Sequence, residues 1–166
     1  MNASQFVESI ADEYGVQVRY HPCELTERES RTALIEALIA EDCRFRGLIN
    51  VAGRDYEGAF LDQSRERLLY LLHVLIESMV DLSHAVLNLR DPEQRFMLIN
   101  VSSLAGYFPM PYKATYSAAK GFIQRFSRAL REEIKPFGNV LVVSPAGLPT
   151  HEESRRKIAA QGTWGR

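Results

Sequence analysis

Apolar positions along the chain follow two alternating periods, and the switches between them predict the elements. At 5–14, Phe6, Val7, Ile10 and Ala11 share one face at helical spacing, with Ser4 as the expected N-cap and Gly15 as the stop. Val16, Val18 and Tyr20 then alternate with polar residues, which predicts a strand over 16–20 that His21-Pro22 ends. A second helix is expected over 27–41, with Leu34, Ile35, Leu38 and Ile39 as its buried stripe. Thr26 and Glu29 have the spacing of a capping box at its start. A short apolar run at 47–51 reads as a buried strand.

A long helix follows over 65–89, capped by Ser64. Leu68, Leu69, Leu71, Leu72, Val74, Leu75 and Ile76 leave its first half almost no polar face. Such a helix is covered on most sides, so one side is expected against the sheet and the other against a second subunit, the alternative being burial by its own chain, which looks too short to cover it. The apolar run at 96–102 predicts another strand. A helix over 115–134 follows, with Ala119, Phe122, Ile123, Phe126, Leu130 and Ile134 inward, and Pro136-Phe-Gly138 stops it. Residues 140–143, rich in β-branched side chains, make the last strand. Strands separated by helices imply an α/β fold: a parallel sheet of about four strands with helices on both faces. One domain is expected over 1–150, with a polar tail at 151–166 and a short helix compatible with 152–160.

Composition narrows the function classes. A net charge of −1 gives no electrostatic case for nucleic acid or an anionic membrane as partner. The long apolar segment carries His73, Glu77, Asp81 and His84, which argues against a membrane span. No basic stretch followed by an apolar one opens the chain, and Cys23 and Cys43 form no disulfide framework, so a reduced cytoplasmic setting is expected. His21 and Cys23 have no further pair at metal spacing, so no metal site is expected. No Gly-x-Ser-x-Gly elbow offers a hydrolase nucleophile.

The candidate chemistry lies between Asn100 and Lys120. Tyr116 and Lys120 are four residues apart, on one helix face. An ammonium fixed near a phenol favours the phenolate and suits the tyrosine to proton transfer near neutral pH. A Tyr/Lys pair at this spacing is more often an exposed helix pair, and its company gives it weight. Ser103 ends the preceding strand, where open parallel sheets place ligands, Asn50-Val51-Ala52-Gly53 ends an earlier one, and Pro145-Ala146-Gly147-Leu148-Pro149-Thr150 follows the last.

In these motifs, and in their order, the chain resembles the short-chain dehydrogenase/reductase family. The resemblance covers roughly residues 5–150. It implies a partial Rossmann-like, doubly wound sheet and an oxidoreductase that moves hydride between NAD or NADP and a small-molecule carbonyl or alcohol. It implies Tyr116 as proton donor or acceptor, Lys120 on the nicotinamide ribose, and Ser103 on the substrate oxygen. Asn50, Ala52, Gly53, Pro145, Gly147 and Thr150, together with Tyr116 and Lys120, would line the cofactor. It also implies a homodimer through helices 65–89 and 115–134.

The chain departs from the family pattern in several places. No Gly-x-x-x-Gly-x-Gly turn occurs, so the family's first βαβ unit is expected to be absent and cofactor binding weak. The family's last helix and strand are expected to be absent too. Leu75 stands where the family's long helix usually carries an Asn, and Glu24 stands where an Asp usually touches adenine. With the family's strand order 3-2-1-4-5-6-7, loss of the first two strands would leave 16–20 without neighbours and expose one edge of 47–51. The 16–20 strand would then shift beside 47–51, or another copy would supply the partner, or the chain would be unstable alone. An alternative to the enzyme reading is therefore a non-catalytic relative that serves as a dimerising interaction module.

Overall fold

The structure is a computed structural model and describes residues 3–146. Gly147, Thr150 and the tail at 151–166 lie outside the described residues. The elements are α1 (Ala3–Tyr14), α2 (Arg28–Ala40), β1 (Gly47–Asn50), α3 (Arg65–Leu72), α4 (Ser78–Asn88), β2 (Phe96–Val101), α5 (Ala114–Ile134) and β3 (Gly138–Val143). A π-helical turn, His73–Glu77, joins α3 to α4, so the predicted long helix is continuous. Ser64 caps it as expected, accepting from the Arg67 amide.

Three parallel strands pair in the order β1-β2-β3, with Asn50 opposite Asn100 and Asn100 opposite Val142. The fold is thus a partial Rossmann-like sheet. Side chains on a strand alternate between faces, so this register puts Leu48, Phe96, Leu98, Asn100 and Val140 on one face. Phe96, Leu98 and Val140 pack there with Val86 of α4 and Ile134 of α5. The opposite face carries Ile49 (61% exposed), Met97 (41%), Leu141 (50%) and Val143 (40%). Helices cover one face among the described residues, where the strand pattern predicts two. A second cluster, Leu71, Leu75 and Ala119, joins the long helix to α5 and takes in Tyr56 and Tyr116.

Three local expectations fail for physical reasons. Residues 16–20 form no strand, and Val16 and Tyr20 are about half exposed. Alternation is a local property, whereas a strand needs a hydrogen-bonded neighbour, and β1 pairs with β2 alone. Ser4 lies inside α1, which starts at Ala3, while Gly15 stops the helix at φ +62° as expected. The Thr26/Glu29 capping box does not form, since α2 begins at Arg28 and its N-cap Glu27 makes no side-chain bond. Glu24 takes over that corner, accepting from the Thr26 hydroxyl (2.7 Å) and amide (3.1 Å). These bonds hold its carboxyl below the usual range.

The α2 contact with the long helix is ionic as well as apolar. The buried Arg31 guanidinium donates to Asp81 (2.7 Å), to Glu77 and to the Leu25 carbonyl (2.7 Å). Leu34, Ile35 and Leu38 are half-buried beside it, and Ile39 of the predicted stripe is 56% exposed. Removing one partner of a buried charge leaves the other poorly compensated. Asp81→Asn is expected to lower stability by about 2 kcal/mol, read as a fall in the urea midpoint, because Glu77 still faces the guanidinium. An unchanged midpoint would show that the pair does not hold α2. Hydrogen exchange checks the open edge: the outward amides of β1 should exchange far faster than those of β2, and equal protection would mean that the edge is paired.

Candidate active site

Four segments converge at the C-terminal end of the sheet. They are the loop after β1, the turn after β2, the start of α5 and the loop after β3. Neutral hydrogen bonds fix their framework. Asn50 Nδ2 donates to Ser83 Oγ (3.0 Å) and to Asn100 Oδ1 (2.8 Å), and Asn100 Nδ2 donates to Ser127 Oγ (2.9 Å). Ser127 Oγ in turn donates to the Ile123 carbonyl (2.7 Å). The chain runs through α4, β1, β2 and α5. It commits both side-chain N–H groups of Asn50 to the scaffold, so Asn50 acts through the framework.

The α5 register brings Tyr116 and Lys120 together as the spacing predicts. The Lys120 ammonium lies 5.7 Å from the Tyr116 ring centroid and donates to the Val101 carbonyl at 2.9 Å. Lys120 is 5% exposed. Burial pushes its pKa from 10.5 down to about 8, and the Asp55 charge pulls it back in part. The gap corresponds to roughly 3 kcal/mol of cost to the charged form, so desolvation dominates the one hydrogen bond and the distant carboxylate.

Gly53 comes to the same place. A Cβ added there would stand 3.1 Å from Leu75 Cδ2 and 3.7 Å from Lys120 Nζ. Ala52 and Gly53 are exposed, so the backbone beside the ammonium is bare. Leu75 is buried in the Leu71–Ala119 cluster, consistent with a packing role.

Ser103 lies two residues beyond the end of β2, where it caps the short turn Leu104–Gly106, rather than at the strand end itself. Its hydroxyl oxygen accepts from the Ala105 amide (3.1 Å), which leaves its proton free to be donated to a ligand. Its carbonyl accepts from Gln124 Nε2 (3.2 Å), which also reaches Ser144 Oγ (3.4 Å). Pro145 is drawn in through its carbonyl, which accepts from the Leu104 amide (3.1 Å). Ser102 Oγ donates to the Lys120 carbonyl (2.8 Å), so the β2 turn is bolted to the α5 turn that carries the lysine. Gly106 makes this approach possible, because a Cβ there would meet the Lys120 backbone at 2.7 Å.

Sequence reading missed Ser83, Asn100, Ser127, Gln124, Gly106 and Lys113. A signal existed for Asn100: it is a polar residue at an inward position of an otherwise apolar strand. Lys113 bonds Asp55 and Glu57 across two loops, a pairing that no sequence spacing encodes.

The family profile described as short chain dehydrogenase matches residues 1–159. The chain belongs to this family. It is 31% identical over 144 residues to a 3-ketodihydrosphingosine reductase of Bacteroides thetaiotaomicron, covering 86% of this chain and 54% of that protein. Among solved structures, it resembles the bulky-bulky ketone specific alcohol dehydrogenase of Comamonas testosteroni at a TM-score of 0.80 and 26% identity. That match covers 90% of this chain and 60% of the other. It also resembles a short-chain dehydrogenase from Sphingobium yanoikuyae in complex with NADPH, at a TM-score of 0.79 and 28% identity, over 87% of this chain and 57% of that one. The chain thus spans a little over half the length of these relatives.

A nicotinamide nucleotide can be tested against this short-chain dehydrogenase site. Among the described residues the Lys120 ammonium donates to one acceptor, which leaves two N–H groups for ribose hydroxyls, and Gly53 bares the backbone next to it. The nicotinamide end therefore fits. For the pyrophosphate the sequence offers no glycine-rich turn, and no strand precedes β1 among the described residues.

The lysine makes a direct prediction. A folded pKa of about 8 lies below the unfolded value, so the unfolded chain binds more protons between the two, and stability rises with pH from about 8 toward 10.5. Nuclear magnetic resonance of 13C-methylated lysines should give one resonance with a midpoint near 8, lost in Lys120→Met. Midpoints all near 10.5 would mean that the ammonium is solvated.

Proposed function

We propose that this chain carries the reactive half of an NAD- or NADP-dependent short-chain dehydrogenase acting on a small-molecule carbonyl or alcohol. The supporting observation is the buried Lys120 ammonium beside Tyr116 and the bare Gly53 backbone. In the reduction direction, Tyr116 gives its phenolic proton to the substrate oxygen as negative charge develops there. Lys120 stabilises the phenolate left behind and holds the ribose hydroxyls. Ser103, whose oxygen already accepts from the Ala105 amide, keeps its proton and donates a hydrogen bond to the same substrate oxygen, which orients it. The cofactor, when bound, supplies or accepts the hydride.

The proposal extends to a homodimer. Phe122 and Phe126 stack on α5 with centroids 5.8 Å apart, and Phe122, expected on the inward face, is instead 38% exposed. Leu68, Leu69 and Leu72 line an apolar groove of about 440 Å³ with Phe60 and Leu61. Both surfaces lie on the two helices expected to pair. A second reading, a dimerising module without catalysis, is favoured by the open sheet face and by the lack of a phosphate-binding turn in this sequence.

These 166 residues hold no glycine-rich turn, and a helix-end phosphate site is a main anchor of a dinucleotide. NADH and NADPH are therefore expected to bind this chain with a Kd on the order of 1 mM, followed by nucleotide fluorescence. Lys120→Met should abolish that binding, and Tyr116→Phe should retain binding while losing turnover. No fluorescence change at millimolar nucleotide would leave only the non-catalytic reading, whereas micromolar binding would overturn the impairment.

A further inference from the structure

The loop between β1 and α3 crosses beside the Tyr116–Lys120 pair, and its alternate side chains are held from opposite sides. Tyr56 points inward, packing on the Leu71–Leu75–Ala119 cluster that also holds Tyr116, with the Arg67 guanidinium 4.3 Å above its ring centroid. Asp55 and Glu57, on either side, reach the other way to Lys113, at 2.5 Å and 3.4 Å. The next residue, Gly58, donates its amide to the Tyr112 carbonyl at 2.9 Å. Tyr112 itself sits at φ +64°, a conformation that a bulky residue adopts only when its surroundings hold it there.

Two ion pairs and a backbone bond thus clasp residues 54–58 to the turn that starts α5. Lys113 is three residues before Tyr116. The clasp borders a cavity of about 40 Å³ beside Tyr116, walled by Tyr56, Gly58, Tyr112 and Lys113, which is more room than a single water needs. The ammonium is the sheltered partner: the Lys113 side chain is 21% exposed, against 39% for Asp55 and 70% for Glu57, so the Asp55 pair is the better protected of the two. Burial pushes the Lys113 pKa down, but the bonds to Asp55 and Glu57 outweigh it and hold the ammonium above its ordinary range. Asp55 is also the carboxylate whose charge acts on Lys120.

We propose that Lys113 is a positioning residue for the Tyr116–Lys120 pair: by gripping Asp55 and Glu57 it ties the 54–58 strap across the cavity beside Tyr116 and fixes one carboxylate within electrostatic range of the Lys120 amine. The role of the pair itself rests on the oxidoreductase reading above; the clasp does not. Lys113 and Asp55 touch no reacting atom. They set where the strap lies, and the strap sets both the opening onto Tyr116 and the field at Lys120.

The test uses the whole chain with two variants, Lys113→Met and the near-isosteric Asp55→Asn. Both should speed hydrogen exchange at the Gly58 amide by about tenfold or more while β2 amides keep their protection. Asp55→Asn should also move the 13C-methyl titration midpoint of Lys120 downward, and Lys113→Arg should restore the exchange rate of the unaltered chain. Unchanged Gly58 exchange in both variants, or an unmoved Lys120 midpoint in Asp55→Asn, would overturn the proposal. Neither readout needs bound nucleotide or turnover, so a failure of the clasp is distinct from a failure of the oxidoreductase reading.

Discussion

One buried line of hydrogen bonds holds the framework in register: Ser83 to Asn50, Asn50 to Asn100, Asn100 to Ser127. Each bond contributes modestly when made, but a buried amide left without its partner costs about 1–3 kcal/mol. A slip of β1 against β2, or of either helix on the sheet, would strand several such groups at once. Apolar packing at Phe96, Leu98 and Val140 sets the distance between helix and sheet but tolerates sliding. The amides do not. They place the ends of β1 and β2 at one level, and Gly53, Ser103 and Lys120 inherit that level.

The burial of Lys120 depends on this rigidity. Keeping an ammonium at 5% exposure costs energy that the Val101 carbonyl offsets only in part. A softer framework would let the side chain swing into water. Ser102 fixes the Lys120 backbone by bonding its carbonyl, and Gly106 allows the close approach that the bond requires. The positive φ of Tyr112 and the desolvation of Lys120 both lie around the start of α5.

The sheet itself is half dressed. Its strands read as buried on both faces, and one face keeps Ile49, Met97, Leu141 and Val143 in contact with solvent. Parallel sheets of this composition are ordinarily covered on both sides. The relatives are longer by nearly half of their length, which agrees with a face built to be covered.

Much of this was legible before any coordinates. Helical spacing located α1, α2, the long helix and α5, and it put Tyr116 over Lys120, because a periodicity of 3.6 is written residue by residue. Apolar runs located β1, β2 and β3 for the same reason. Alternation over 16–20 misled, since it describes one segment and pairing requires two. The depth of Lys120, the burial of Arg31 between two carboxylates, and the grip of Lys113 on Asp55 were decided by the tertiary structure alone. The Arg31 and Lys113 pairs join residues 46 to 58 positions apart, at separations where charge and solvent exposure depend on what the rest of the chain brings alongside.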